Sequence, residues 1–324
     1  MACCPKSIIA DILKAREDKG GIVNVYYVAC GGSYAGLHPG KYFLQSEAKK
    51  VTVDHYTANE FCHATPKALG PNSIVITQSH SGTTPETVKA AEIAQKAGAA
   101  SVVITFDDQS PLAKNGDYVL KYEAKAPADM SGMAFGLKLA VEILNQVEGY
   151  ENYDEMMNGF DRIDGIVKHA KEFLTPRAKI FAEEYKDEKL IYMMGSGANY
   201  RVAYSFAICL LMEMQWINSS AIHSGEYFHG PFEITDRETP FIILMSEGRT
   251  RPLDQRALDF LNRFAEKVIV LDAKELGLET IDDKVSEFFN PLLMSAALGC
   301  YSYELSIARK HPLSCRRYMW KLQY

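Results

Sequence analysis

Two successive α/β halves, each a largely parallel sheet with helices on both faces, are what this sequence predicts. Three observations carry the prediction. Short β-branched runs alternate with helical stretches, the pattern of strand–helix–strand units. The alternation stops across a polar, helix-patterned stretch and then restarts. And the turns after corresponding strands resemble each other in the same order, a faint internal repeat.

Taken in order, a helix over residues 7–19 leads into a buried strand over 22–30, and Gly31, Gly32 and Ser33 turn the chain into a second helix. Apolar runs at 51–53, 73–77, 100–106 and 118–122 supply further strands, and an amphipathic helix over 133–147 closes the half. Residues 151–187 read as a helical connector between a first domain over 1–150 and a second over 188–310. In the second domain, strands are expected at 189–194, 240–245 and 268–271, with helices over 199–214 and 291–309. Tyr27-Val-Ala-Cys-Gly-Gly-Ser33 answers to Tyr192-Met-Met-Gly-Ser-Gly197. Likewise Ile76-Thr-Gln-Ser-His-Ser-Gly-Thr83 answers to Ile243-Leu-Met-Ser-Glu-Gly-Arg-Thr250.

Composition excludes several function classes. The 324 residues suffice for two domains, and a formal net charge of -6 argues against a polyanionic nucleic-acid partner. The longest apolar run, residues 206–212, is too short to span a bilayer, and the N-terminus lacks a signal-peptide core. Seven cysteines without zinc spacing, with Cys30, Cys209 and Cys300 in apolar settings, suit reduced core thiols in the cytoplasm. No ligand cluster calls for a metal or an organic cofactor.

Ser79-His80-Ser81-Gly82-Thr83-Thr84-Pro85-Glu86 lies between a strand and a helix. Free N–H groups at a helix start, with Ser and Thr hydroxyls around them, favour an anion. No Lys follows the glycine as in a nucleotide-binding loop, so a monophosphate fits better; a plainly capped turn explains the residues equally well. Ser33, at the end of its own strand, converges on the same sheet edge. In the second half Glu247 stands where Ser81 would be, so phosphate binding is expected in the first half only.

Two further residues suit acid–base chemistry. Glu213 sits among apolar neighbours on its helix, where desolvation raises a carboxyl toward general-base values unless it simply faces solvent. His229, in Gly225-Glu226-Tyr-Phe-His229-Gly230-Pro231, is held in a turn and can exchange a proton near neutrality, or can merely bond locally.

Together these motifs resemble the sugar-isomerase (SIS) domain family, over nearly the whole chain. Ser-x-Ser-Gly-x-Thr with Gly-Glu-x-x-His-Gly-Pro is similar to the isomerase half of glucosamine-6-phosphate synthase. The resemblance implies two flavodoxin-like αβα sandwiches. It places phosphate and sugar contacts on Gly32, Ser33, Ser79, His80, Ser81, Thr84 and Ser131, with Glu226, Arg317 and Lys321 joining them. The helical base falls sixteen residues before the histidine, which carries catalysis onto Glu213 and His229.

Departures point to altered chemistry. No glutaminase domain precedes the repeats, and loss of Met1 would expose Ala2 rather than a nucleophilic Cys. Leu210 stands where the synthase has a lysine, and its Ser-Thr-Lys-Ala-Phe turn is Ser131-Gly132-Met133-Ala134-Phe135. Residues 212–216, 224–234 and the tail 311–324 look most like the fructosamine-6-phosphate deglycases, and among them like those acting on 6-phosphofructose-aspartate.

That resemblance implies hydrolytic cleavage of a phosphorylated Amadori compound to glucose 6-phosphate and an amino acid. It also implies a cytoplasmic homodimer with a tail folded over a shared site. An aldose–ketose phosphosugar isomerase and a non-catalytic phosphosugar sensor are the alternatives.

Overall fold

The computed structural model describes residues 4–323; Met1, Ala2, Cys3 and Tyr324 lie outside them. The chain divides into two compact units between Phe160 and Asp161.

In the first unit α1 (Pro5–Lys14) precedes β1 (Asn24–Ala29), and α2 (Gly31–Glu47) follows directly. Then come β2 (Thr52–Thr57), α3 (Ala58–His63), β3 (Ser73–Ser79), α4 (Pro85–Lys96), β4 (Ala100–Thr105), β5 (Tyr118–Lys121) and α5 (Gly132–Glu148). All strand pairs are parallel, in the order β2-β1-β3-β4-β5, the doubly wound flavodoxin arrangement. Every residue of β3 and β4 is buried, which is why they read as unbroken runs rather than as alternation. One core gathers Tyr26, Val28 and Val75 from the sheet with Phe61 of α3 and Ala90 and Ala94 of α4.

The second unit holds β6 (Leu190–Gly195), α7 (Tyr200–Ser205), β7 (Asn218–His223), β8 (Phe241–Met245), α8 (Arg251–Phe264), β9 (Val268–Asp272) and α9 (Asn290–Ala308). Its parallel order is β7-β6-β8-β9, the same winding with one strand fewer. Met194, Ile243 and Met245 meet Tyr227, Ala257 and Leu261 in its core.

Helix α6 (Tyr153–Tyr185) runs across the unit boundary. Its buried positions, Ile163, Val167, Ala170, Leu174, Ala178, Phe181 and Tyr185, recur every three or four residues and form one apolar stripe. In the second unit Phe181 packs on Tyr301 of α9, with ring centroids 5.2 Å apart.

Three elements depart from the sequence reading, the first being helix α8, which was not expected between the last two strands. Strand β7 was not expected: Asn218-Ser-Ser-Ala-Ile-His223 is polar because it is an edge strand with only Ile222 buried. The helix expected over 199–214 is α-helical only through Ser205; Phe206–Gln215 is π-helical. Cys30, Cys209 and Cys300 are half-buried rather than core residues. No helix among the described residues is long and apolar enough to cross a membrane.

Candidate active site

In the first unit, β1 and β3 pair with Ala29 opposite Gln78, so the chain leaves both strands side by side at their C-terminal edge. Gly31, Gly32 and Ser33 form the first turn of α2. The Tyr34 N–H already bonds back to Cys30 O at 3.1 Å, which leaves the three preceding N–H groups for solvent or a ligand. Beside them, the Ser79–Thr84 loop is internally braced. Ser79 Oγ accepts the Gly82 N–H at 3.1 Å and lies 3.0 Å from Thr84 Oγ1. Ser81 Oγ accepts the Thr83 N–H at 3.2 Å, and His80 Nδ1 pairs with Tyr122 OH at 3.0 Å.

Gly82, at φ +66°, must be glycine, because a Cβ there would lie 2.0 Å from Ser110 Oγ. Pro85 then opens α4 behind the loop. Ser131 caps α5 by accepting the Ala134 N–H at 3.2 Å.

Gln78, which the sequence reading passed over, joins these parts. Its Nε2 lies where side chains on Gly36 of α2 and Gly132 of α5 would stand, 3.4 and 2.9 Å from those Cβ positions. The structure therefore brings Gly32, Ser33, Ser79, His80, Ser81, Thr84 and Ser131 to one sheet edge.

The matching loop of the second unit is filled from within. Counted back from the residues that precede their helices, Thr84 and Thr250, Ser81 and Glu247 do occupy the same place. The decisive feature, however, is a pair of buried carboxylates. Asp254 accepts Ser224 Oγ–H at 2.6 Å and the Ser246 N–H at 3.0 Å. Glu287 accepts the Arg249 N–H at 2.9 Å and its Nε–H at 2.7 Å. Burial pushes the Asp254 carboxyl up, ahead of the lowering by Ser224 and Ser246. Anion-binding donors are present here, but the protein supplies the anions.

Glu213 lies in the π-helical segment, which ends at Trp216 in a left-handed conformation, φ +56°. Its carboxylate is not isolated in apolar surroundings. Arg316, from the tail, donates to Glu213 Oε1 at 2.7 Å, and the two side chains are 7% and 22% exposed. Arg316 also donates to the Leu313 and Cys315 carbonyls at 2.8 and 2.7 Å, and Lys321 Nζ reaches the Arg316 carbonyl. His311 packs edge-on to Trp216, with centroids 4.5 Å apart, and its carbonyl accepts Gln215 Nε2–H at 2.8 Å. The tail is thus pinned over the helix end. Between them opens a cavity of about 370 Å³ lined by Met212, Glu213, Trp216, Asn218, Arg317 and Tyr318, among others.

His229 and Glu226 are exposed on the turn after β7. The Glu226 N–H bonds to His223 O at 2.8 Å and the His229 N–H to Glu226 O at 3.0 Å, while Tyr227 between them is buried. His229 does not line the Glu213 cavity. The structure therefore groups Glu213 with Arg316, Arg317 and Lys321 rather than with His229.

A family model for the SIS domain matches residues 23–146 and 184–277. Fructosamine deglycase FrlB of Bacillus subtilis (strain 168) is 45% identical over 94% of this chain and 93% of its own length. Fructoselysine 6-phosphate deglycase of Escherichia coli (strain K12) is 26% identical over 96% of this chain and 88% of its own. A crystal structure from Salmonella typhimurium LT2, described as a candidate phosphosugar isomerase, superposes with a TM-score of 0.95 at 47% identity, covering 99% of this chain and 98% of that one. The C-terminal domain of glucosamine-fructose-6-phosphate aminotransferase from Francisella tularensis shares the fold, with a TM-score of 0.78 at 19% identity over 95% of this chain and 94% of that one. With both halves matched by one model and a relative this similar along nearly its whole length, the chain belongs to the SIS domain family.

Proposed function

We propose that this protein is a fructosamine-6-phosphate deglycase. In this reading it converts a 1-amino-1-deoxyfructose 6-phosphate bearing an amino acid, with water, into glucose 6-phosphate and the free amino acid. The observation that carries the reading is the Glu213 carboxylate, fixed by Arg316 at the edge of a cavity that the tail closes. The likeness to fructosamine deglycase FrlB supports the same chemistry. Resemblance of the tail and of residues 212–216 favours aspartate as the amino acid.

The chemistry assigns each residue a task. The phosphate goes to the N–H groups of Gly32 and Ser33 and the hydroxyls of Ser79, Ser81 and Thr84, with His80 and Ser131 as further contacts to the phosphate or the sugar. Glu213 removes a proton from C1, giving an enaminol, and the proton returned to C2 leaves an imine at C1. Water adds to that imine and expels the amine. His229 acts as the acid at the sugar oxygens, with Glu226 beside it. Because His229 is exposed and away from the Glu213 cavity, we assign it to a neighbouring subunit's site in a homodimer.

Glu213→Gln keeps the size of the side chain and an acceptor for Arg316 while removing the base. It should bind substrate yet release glucose 6-phosphate about 10²–10⁴-fold more slowly. Near-normal release by a folded Glu213→Gln protein refutes the assignment.

A further inference from the structure

We infer that Arg317 recognises the amine half of the substrate by binding a carboxylate on the group attached to sugar C1. The inference rests on the deglycase reading, which already takes amino-acid adducts as substrates, and adds to it the residue that selects them over adducts of simple amines.

The position follows from the chemistry. If Glu213 works at C1, the amine nitrogen is one covalent bond from the atom it works on. The substituent must then lie in the space next to Glu213, and that space is the cavity of about 370 Å³. Its volume falls within the range of small-ligand sites.

The charges in that space are unequal. Arg316 is already committed to Glu213 and to two carbonyls. Arg317 has no carboxylate partner among the described residues, although it lines the same cavity. Its guanidinium lies over the Trp216 ring, 4.1 Å from the centroid. Trp216 itself closes the π-helical segment at φ +56°, and the ring that carries Arg317 is also met edge-on by His311, 4.5 Å between centroids. A guanidinium stacked on an aromatic face keeps its N–H edge free for two parallel bonds to a carboxylate. One unpaired, oriented cation beside the amine position calls for one carboxylate.

Two substrates that differ only in that group test the inference: 6-phosphofructose-glycine and 6-phosphofructose-ethanolamine, in which hydroxymethyl replaces carboxylate. The protein should prefer the glycine adduct by about 10- to 100-fold in kcat/KM, the range of a charged hydrogen-bonded contact. Arg317→Met should bring that ratio close to one, chiefly through KM for the glycine adduct, and Arg317→Lys should restore part of it. The melting temperature of each variant checks that the fold is intact. A ratio near one in the unmodified protein overturns the inference. So does an Arg317→Met variant that lowers both adducts equally, since both carry the phosphate and the loss would then lie there. Failure of the unmodified protein to turn over these adducts and 6-phosphofructose-aspartate alike is a different result: it removes the deglycase reading, and the inference with it. If only the aspartate adduct is turned over, Arg317→Met must lower its kcat/KM by the same factor of about 10- to 100-fold or the inference falls.

Discussion

Glu213 and Arg316 show how far single residues can be read from a sequence. Glu213 was visible because a carboxylate stands out in the run Phe206-Ala-Ile-Cys-Leu-Leu-Met-Glu213. Arg316 was not, because nothing local in the tail marks which of its cations turns inward and which, like Arg317, stays exposed. The hydroxyls of residues 79–84 were legible for the opposite reason: strand, small polar turn and helix-opening Pro85 are contiguous. Gln78 escaped notice because its role depends on two glycines from distant helices. His229→Ala tests the remaining catalytic assignment. An exposed side chain contributes little to packing, so the melting temperature should hold while turnover falls by about 10²–10⁴-fold. A large drop in melting temperature with modest kinetic change would make His229 a turn residue instead.

The two strand-to-helix loops had the same ancestry written in the sequence but not the same contents. Glu247 signalled that the second loop differs; Asp254 and Glu287, which fill it, carry no such signal, since one lies within a helix and the other far along the chain. Strand β7 was hidden by its edge position and the π-helical segment by uniform apolarity, which suits either helical repeat. Ser81→Glu should reproduce in the first loop what the second contains. A carboxylate facing the anion position should weaken glucose 6-phosphate binding by at least about tenfold. Unchanged affinity in calorimetry would mean that the loop is only a capped turn.

Asp254 makes a second element-level prediction. Its folded pKa is raised by burial, so the folded state keeps the proton longer than the unfolded chain. Its contribution is most favourable below the unfolded value of about 3.9 and is lost as pH rises through the folded value. Asp254→Asn has no proton to lose. Its stability relative to the unmodified protein, from urea unfolding, should therefore improve as pH rises from about 4 to 7. A difference constant across that range contradicts the argument.

At the scale of the molecule, the duplicated fold was the most legible feature, because two parallel sheets impose two series of buried strands on the sequence. Under the proposed function the halves divide the labour: the loop of the first takes the anion, and the second, its own loop filled, supplies Glu213 and the tail. If each site draws Glu213 and His229 from different subunits, mixing Glu213→Gln with His229→Ala under subunit exchange should regain partial activity. Confirmed but inactive heterodimers would place the pair in one chain. The central claim is the reaction itself, and the most direct measurement follows the fate of 6-phosphofructose-aspartate in deuterated water. The account predicts one free aspartate per glucose 6-phosphate, with C2 of the sugar carrying either the hydrogen that Glu213 took from C1 or solvent deuterium exchanged onto its carboxyl. Release of fructose 6-phosphate with the aspartate would contradict proton transfer from C1 to C2 through Glu213.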